Sequence, residues 1–217
     1  LFDITLTFDN GPEPLVTPGV LDALKARDVK ATFFVIGEKA TAHPELVARA
    51  HEEGHVIANH TWSHTVPLGD RPLNGEAIEE IEKAQQAIAR YAHPARYFRP
   101  FADGVVGPKL LNREAVQHLR DNTYTCVLWN VLGEEWLSRD GWVEPAVQRC
   151  KAQDWSLLVV HDLLEDAMRH FPRFLDRLIE EGAKFRMDFP PECVLIDRGR
   201  ITQPLSPYVS GGWDDAG

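Results

Sequence analysis

Short apolar runs alternate with helix-period segments from one end of the chain almost to the other. "DITLTFD" (3–9) places apolar residues at every second position and reads as a strand ending in a carboxylate. An amphipathic helix over 18–28, a strand over 31–37 closed by Gly37, and a helix over 43–54 with a glycine stop follow, then a strand over 55–60. A long helix spans about 74–91, with acidic residues crowding its first half. "YFRPF" (97–101) and "YTCVLWNV" (124–131) read as buried strands flanking a helix over 109–121. A helix over 144–152, a strand over 156–162 and a helix over 171–182 come next, and "KFRM" and "CVLID" complete the sheet. Such alternation implies parallel strands in an α/β fold, closed into a barrel or left as an open doubly wound sheet. The pattern stops at about residue 204, and the tail "PLSPYVSGGWDDAG" is expected to wrap the surface or fray.

Composition narrows this picture. At 217 residues and 44% hydrophobic, the chain has material for one large core, so residues 1–217 are expected to form a single domain. A formal charge of −10 argues against nucleic acid as a partner, since phosphate binding needs a basic face. No apolar run approaches the roughly 20 residues that span a bilayer. Cys126, Cys150 and Cys193 are odd in number and unpaired by motif, which argues against a disulfide framework or a cysteine zinc site. With no signal peptide ahead of Leu1, the expected compartment is a reducing one, the cytoplasm.

The candidate chemistry gathers at the C-terminal ends of the predicted strands. Asp9 and Asn10 end the first, His60 the third, and His161 the sixth, while Arg99 and Asn130 lie on the fourth and fifth. In a parallel α/β fold these ends share one face, where ligands bind. "HTWSH" sets His60 and His64 four apart; if the segment turns helically, both imidazoles lie on one face and can grip one cation, with an oxygen from the Asp9–Asn10 corner. Taken singly, each of these residues is equally well a cap or a loop former. Arg99 needs an anionic partner, for which Asp9, Glu134 and Glu135 are the candidates. His161 is placed to protonate a leaving group.

"TFDNGP", "KATFFVIG", "EEGHVIANHTWSH", "FRPF", "VLWNVLGEEW" and "LLVVHD" occur in the order seen in polysaccharide deacetylases, the nodulation-type group of carbohydrate esterase family four. The chain resembles that family from about Ile4 to Ile196. The resemblance implies an irregular (β/α)7 TIM-like barrel and a hydrolase that removes acetyl groups from N- or O-acetylated saccharides. It implies one divalent metal, zinc or else cobalt, nickel or manganese, with a metal-bound water as nucleophile. Carried over by position, Asp9 is the base, His161 the acid and Arg99 the residue that holds the base. His60 and His64 are metal ligands, and Asn10 stands where the third ligand is usually an aspartate. Trp136 and Val159 wall the acetyl pocket, and Ala102 offers its N–H to the oxyanion. Asn130 and Glu135 stand where aspartates usually tune Arg99 or His161.

Several positions depart from the family's pattern. Asn10 exchanges a charged ligand for a neutral amide, which weakens metal affinity. "RPFAD" replaces the usual Arg-Pro-Pro-Tyr-Gly, and Asp103 in place of glycine puts that turn in question. Two alternatives to an acetylated oligosaccharide substrate follow: hydrolysis of a small non-peptide amide at the same site, or a catalytically impaired binding relative.

Overall fold

The structure, a computed structural model, describes residues 1–214. The first half of the chain runs β1 (Phe2–Asp9), α1 (Thr17–Ala26), β2 (Thr32–Val35), α2 (Gly37–Ala42), α3 (Pro44–Glu52), β3 (Val56–Asn59) and α4 (Glu76–Ile88). Next come β4 (Tyr97–Phe98), α5 (Arg113–Asp121), β5 (Thr125–Val127), β6 (Val131–Leu132) and α6 (Val143–Lys151). β7 (Trp155–His161), α7 (Glu165–Met168), α8 (Phe171–Glu180), β8 (Ala183–Arg186), β9 (Val194–Asp197) and β10 (Arg200–Ile201) complete it. The strands form one curled, half-barrel sheet in the order β10-β9-β5-β4-β3-β2-β1-β7-β6, with β8 beside the first half of β1. β1 to β8 pair in parallel, as the strand–helix alternation requires, whereas β9 and β10 are added antiparallel.

The period-two pattern of β1 explains both faces of the sheet. Phe2, Ile4, Leu6 and Phe8 point outward into a core shared with α1, α6 and α8. Thr5, Thr7 and Asp9 point inward, and their oxygens are bound there: Thr7 Oγ1 donates to Leu158 O at 2.8 Å, and Thr5 Oγ1 to Asp188 O at 2.6 Å. A second core fills the space between α4, α5, β4, β5 and β9, around Leu110, Tyr124 and Ile196. A small apolar plug of Phe34, Ala58, Val127 and Leu157 closes the inside of the half-barrel beneath the polar groups.

The run 124–131, expected as one strand, is two. β5 pairs with β4 and β9, while β6 joins β7 at the far edge of the sheet. Only Leu128–Asn130 separates them, so the sheet must curl until its ends approach. Asn130 makes this crossing with its side chain: Oδ1 accepts from Leu157 N at 2.7 Å and Nδ2 donates to Trp155 O at 3.0 Å, in place of ladder bonds. Gly37, expected to close a strand, instead opens α2. A Cβ there would lie 2.6 Å from the Trp62 ring and 2.9 Å from Ala84 Cα, so its absence lets α2 pack against α4.

The tail wraps rather than frays over 204–214. Leu205 and Val209 are buried, Val209 bridges to Leu111, and Trp213 packs on the second core. Residues 215–217 lie outside the described residues. The three cysteines are buried and free, with their thiols pushed up to about 12 chiefly by burial. Among the described residues, no helix is long and apolar enough to cross a membrane.

Candidate active site

The parallel register of β1 with β7 sets Asp9 directly beside His161, so a carboxylate and an imidazole end neighbouring strands on one face. They line a cavity of about 200 Å³ together with Asn10, His60, His64, Ala102, Trp136 and Val159. All the residues expected at the site thus meet except three. Arg99 and Glu135 are fully buried beneath it, each bound to a residue that lines it. Asn130 corrects the expectation that it tunes Arg99 or His161, because its amide is committed to the backbone of β7.

Asp9 is 4% exposed and faces Arg99, which is 0% exposed. Arg99 Nη1 donates to Asp9 Oδ1 at 2.7 Å and to Thr7 Oγ1 at 2.8 Å, while Nε and Nη2 donate to Val127 O and Leu128 O. The guanidinium also lies over the Phe34 ring, 3.9 Å from its centroid. Of the three candidate partners, then, Asp9 is the one; Glu134 instead pairs with Arg149 at 3.0 Å. Burial alone would raise the Asp9 carboxyl, but the charge and hydrogen bond of Arg99, with His161 behind it, outweigh it and hold it below its ordinary range. Asp9 is therefore an ionised, oriented carboxylate.

His161 is fixed from its other side. Glu135 Oε1 accepts from His161 Nδ1 at 2.5 Å and from its backbone N–H at 2.9 Å. That bond puts a proton on Nδ1 and leaves Nε2 as the atom that can hold or release one. Burial works against the charged imidazole, yet the Glu135 hydrogen bond and the carboxylates of Glu135, Asp9 and Asp162 outweigh it and raise its pKa. The edge of Trp136 meets the ring, with centroids 5.2 Å apart.

The two histidines are brought together by a bend, not by the helical turn that their spacing suggested. Thr61 and His64 both take left-handed backbone (φ 68° and 53°), and the rings sit 4.9 Å apart. α4 holds this bend. Glu80 Oε2 accepts from the N–H groups of Trp62 and Ser63, and Asn59 Nδ2 donates to Ile81 O. Glu80 and Asn59 were not singled out from the sequence. A signal existed for Glu80, since it falls on the stripe Ala77, Ile81, Ala84, Ile88 that buries α4. Phe101, also unforeseen, stacks on His64 at 3.7 Å.

By their chemistry these groups are lone-pair donors of the kind that hold a cation. His60 Nδ1 lies 2.8 Å from Arg99 O, which can only accept, so Nδ1 carries the proton and Nε2 a lone pair. Nε2 faces Asp9 Oδ2 at 3.6 Å. Burial pushes His60 down and His64 down to about 3, so both imidazoles are neutral donors. Asn10 Oδ1 is a buried acceptor without a hydrogen-bond donor. Among the described residues no three His, Cys, Asp or Glu side chains gather as a metal cluster, and the unpartnered Asn10 amide lines the same cavity as the two histidines. Asn10 has φ 75°, a left-handed conformation that asparagine tolerates better than most residues.

The "RPFAD" turn takes left-handed backbone at its end. Asp103 adopts φ 43° and Gly104 φ 73°, and Ala102 sits on the cavity wall with no acceptor for its N–H among the described residues. Asp162 is a further unforeseen member. It is fully buried, accepts from Thr17 Oγ1 at 2.5 Å, and its carboxyl is pushed up to about 7 by burial. A Cβ on Gly11 would lie 2.5 Å from Asp162 Cγ and closer still to both oxygens, so the Asp9–Pro12 corner rides on this carboxyl. Gly11→Ala is therefore expected to destabilise the fold by about 1–3 kcal/mol, read as a lower urea midpoint. In an Asp162→Ala background the same change should cost clearly less; equal costs in both backgrounds would rule the contact out as the cause.

A carboxylate and an imidazole on the open end of a half-barrel, with two neutral histidines beside them, define the class of site. The family model described as polysaccharide deacetylase matches residues 2–127. The peptidoglycan-N-acetylglucosamine deacetylase PgdA of Listeria monocytogenes is 32% identical over 182 residues, covering 84% of this chain and 37% of its own length. This chain thus spans little more than a third of that relative. A chitooligosaccharide deacetylase of Rhizobium leguminosarum bv. trifolii is 35% identical over 169 residues, covering 74% of this chain and 71% of its own. Among solved structures, a family 4 carbohydrate esterase from Streptomyces lividans in complex with acetate superposes with a TM-score of 0.72 at 28% identity, over 91% of this chain and 98% of that one. Peptidoglycan deacetylase PdaC from Bacillus subtilis gives 0.68 at 30% identity, over 85% and 86%. The chain belongs to the polysaccharide deacetylase family.

Proposed function

We propose that the protein is a metal-dependent hydrolase that removes acetyl groups from N-acetylated saccharides. The reading rests chiefly on one observation: an Arg99-held carboxylate and a Glu135-held imidazole stand on register-paired residues at a small, partly apolar cavity. The relatives' names supply the substrate class.

In this reading Asp9 accepts a proton from the attacking water, and Arg99 keeps it ionised and aimed. The acyl methyl lies against Trp136 and Val159. As the carbonyl becomes tetrahedral, the Ala102 N–H donates to the developing oxyanion. His161 then delivers a proton from Nε2 to the departing amine. His60, His64 and Asn10 would hold one divalent ion, zinc or a similar metal, which polarises the carbonyl and acidifies water when bound. An amide ligand adds no negative charge, so the ion is held more weakly and stays more electrophilic than with an aspartate.

The test is acetate release from N-acetylated chitooligosaccharides together with metal content by elemental analysis. Near one divalent ion per chain is expected, with His60→Ala losing both the ion and turnover. Full turnover in a metal-free preparation would contradict the metal role. The neutral Asn10 ligand also favours a second reading, an impaired binding relative. That reading prevails if the parent releases no acetate and Asn10→Asp does.

A further inference from the structure

At the opposite end of the half-barrel, a broad hollow of about 480 Å³ is lined by Arg120, Arg198, Gly199, Arg200 and Ile201. Arg120 lies in the last turn of α5, and the other two arginines belong to the β9–β10 hairpin. Gly199 N donates to Tyr124 O, just ahead of β5, so the hollow sits at the N-terminal ends of the strands. The candidate active site sits at their C-terminal ends.

The charge arrangement here is unusual for this chain. Acidic residues outnumber basic ones by 33 to 23, and most lysines and arginines have found a carboxylate. None of these three arginines has one within ion-pair distance among the described residues. Asp197 stands opposite Arg200 in the hairpin register without forming a pair, and Asp121 accepts from Gln117 Nε2. A cation suits the C-terminus of α5, which accounts for Arg120 but not for the other two. Moreover, Arg120 Nε is buried with no acceptor, and its guanidinium carbon lies 5.9 Å from the centroid of the Trp213 ring, not beside a carboxylate. The hairpin is shaped to bring its arginines here. Arg198 and Gly199 both take left-handed backbone (φ 47° and 82°), and a Cβ on Gly199 would collide with Arg120 O.

We propose that this hollow binds a phosphate-bearing polyanionic polymer other than a nucleic acid. Three guanidinium groups with no carboxylate partner form a set of forked donors that matches phosphate oxygens. In a chain of net charge −10, a long polyanion is repelled elsewhere, so the hollow acts as a local anchor. Because it lies at the far end of the barrel, an occupied anchor leaves the catalytic mouth open. The inference is independent of the deacetylase reading.

The test measures binding of long-chain polyphosphate to the full chain by calorimetry at 50 and 200 mM salt. Arg120→Gln/Arg198→Gln/Arg200→Gln is compared with Lys25→Gln/Arg90→Gln/Lys184→Gln, which removes the same charge elsewhere. The parent and the second variant are expected to bind, with affinity falling as salt rises, and the first variant to lose tenfold or more. The hairpin double variant Arg198→Gln/Arg200→Gln, which leaves the α5 residue intact, should show most of that loss. The proposal is overturned if the parent does not bind at 50 mM salt, or if the two triple variants lose affinity equally. It is also overturned if single-stranded DNA of equal charge binds more tightly, since the hollow would then be a nucleic-acid site.

Discussion

Arg99→Met is expected to destabilise the protein by about 3–5 kcal/mol, the cost of stripping one partner from a buried ion pair. The side chain is 0% exposed and satisfies four acceptors at once: Asp9 Oδ1, Thr7 Oγ1, Val127 O and Leu128 O. Methionine fills the space over Phe34 but leaves all four acceptors without this donor, and Asp9 is then a carboxylate buried without its main counter-charge. Arg99→Lys should recover only part of the loss, because an ammonium cannot reach four acceptors with one planar fork. Urea unfolding at neutral pH checks both. In the pair Arg99→Met/Asp9→Leu the buried charge is gone, so this double variant should be more stable than Arg99→Met alone. A loss of about 1 kcal/mol or less in Arg99→Met would mean that the pair is effectively solvated.

The same contacts show how much was legible in the sequence. Strand–helix alternation is a property of local periodicity, and the parallel sheet followed from it over β1 to β8. Asp9, His60, Arg99 and His161 were readable as a set because strand ends converge in any parallel α/β fold, whichever barrel is built. Where one element depends on another, the sequence was silent. The split at Leu128–Asn130 comes from the curl of the whole sheet, and "YTCVLWNV" carries no glycine or proline to mark it. Asn130 therefore reads as a site residue by position, although its amide replaces ladder bonds to β7. The His60–His64 bend is held by Glu80 on α4, twenty residues away from the first histidine, so spacing alone suggested the simpler helical turn. Asp162 is buried under Gly11 by the pairing of β1 with β7, a contact between "TFDNGP" and "LLVVHD" that no local pattern encodes. The resemblance brought in roles; the distances show which of those residues meet.

His161→Ala is expected to lower kcat by about 10²–10⁴-fold with a smaller change in KM, the range for loss of a general acid. The more discriminating variant is Glu135→Gln. Burial pushes the His161 imidazole down, and the Glu135 hydrogen bond and charge, then Asp9 and Asp162, lift it above its ordinary value. In the proposed mechanism His161 must be protonated to act, so activity persists up to the raised pKa and falls above it. Removing the Glu135 charge lowers that pKa, and the alkaline limb of kcat/KM moves to lower pH. The variant is thus most impaired on the alkaline limb and recovers toward the parent as pH falls, until Asp9 begins to take up a proton. Glu135→Asp keeps the charge and should keep the limb in place if the shorter side chain still reaches Nδ1. A merely structural role for Glu135 would lower activity equally at every pH. Direct titration of His161 by NMR reads the same shift without turnover, so an unmoved imidazole in Glu135→Gln would refute the tuning even in a chain that releases no acetate.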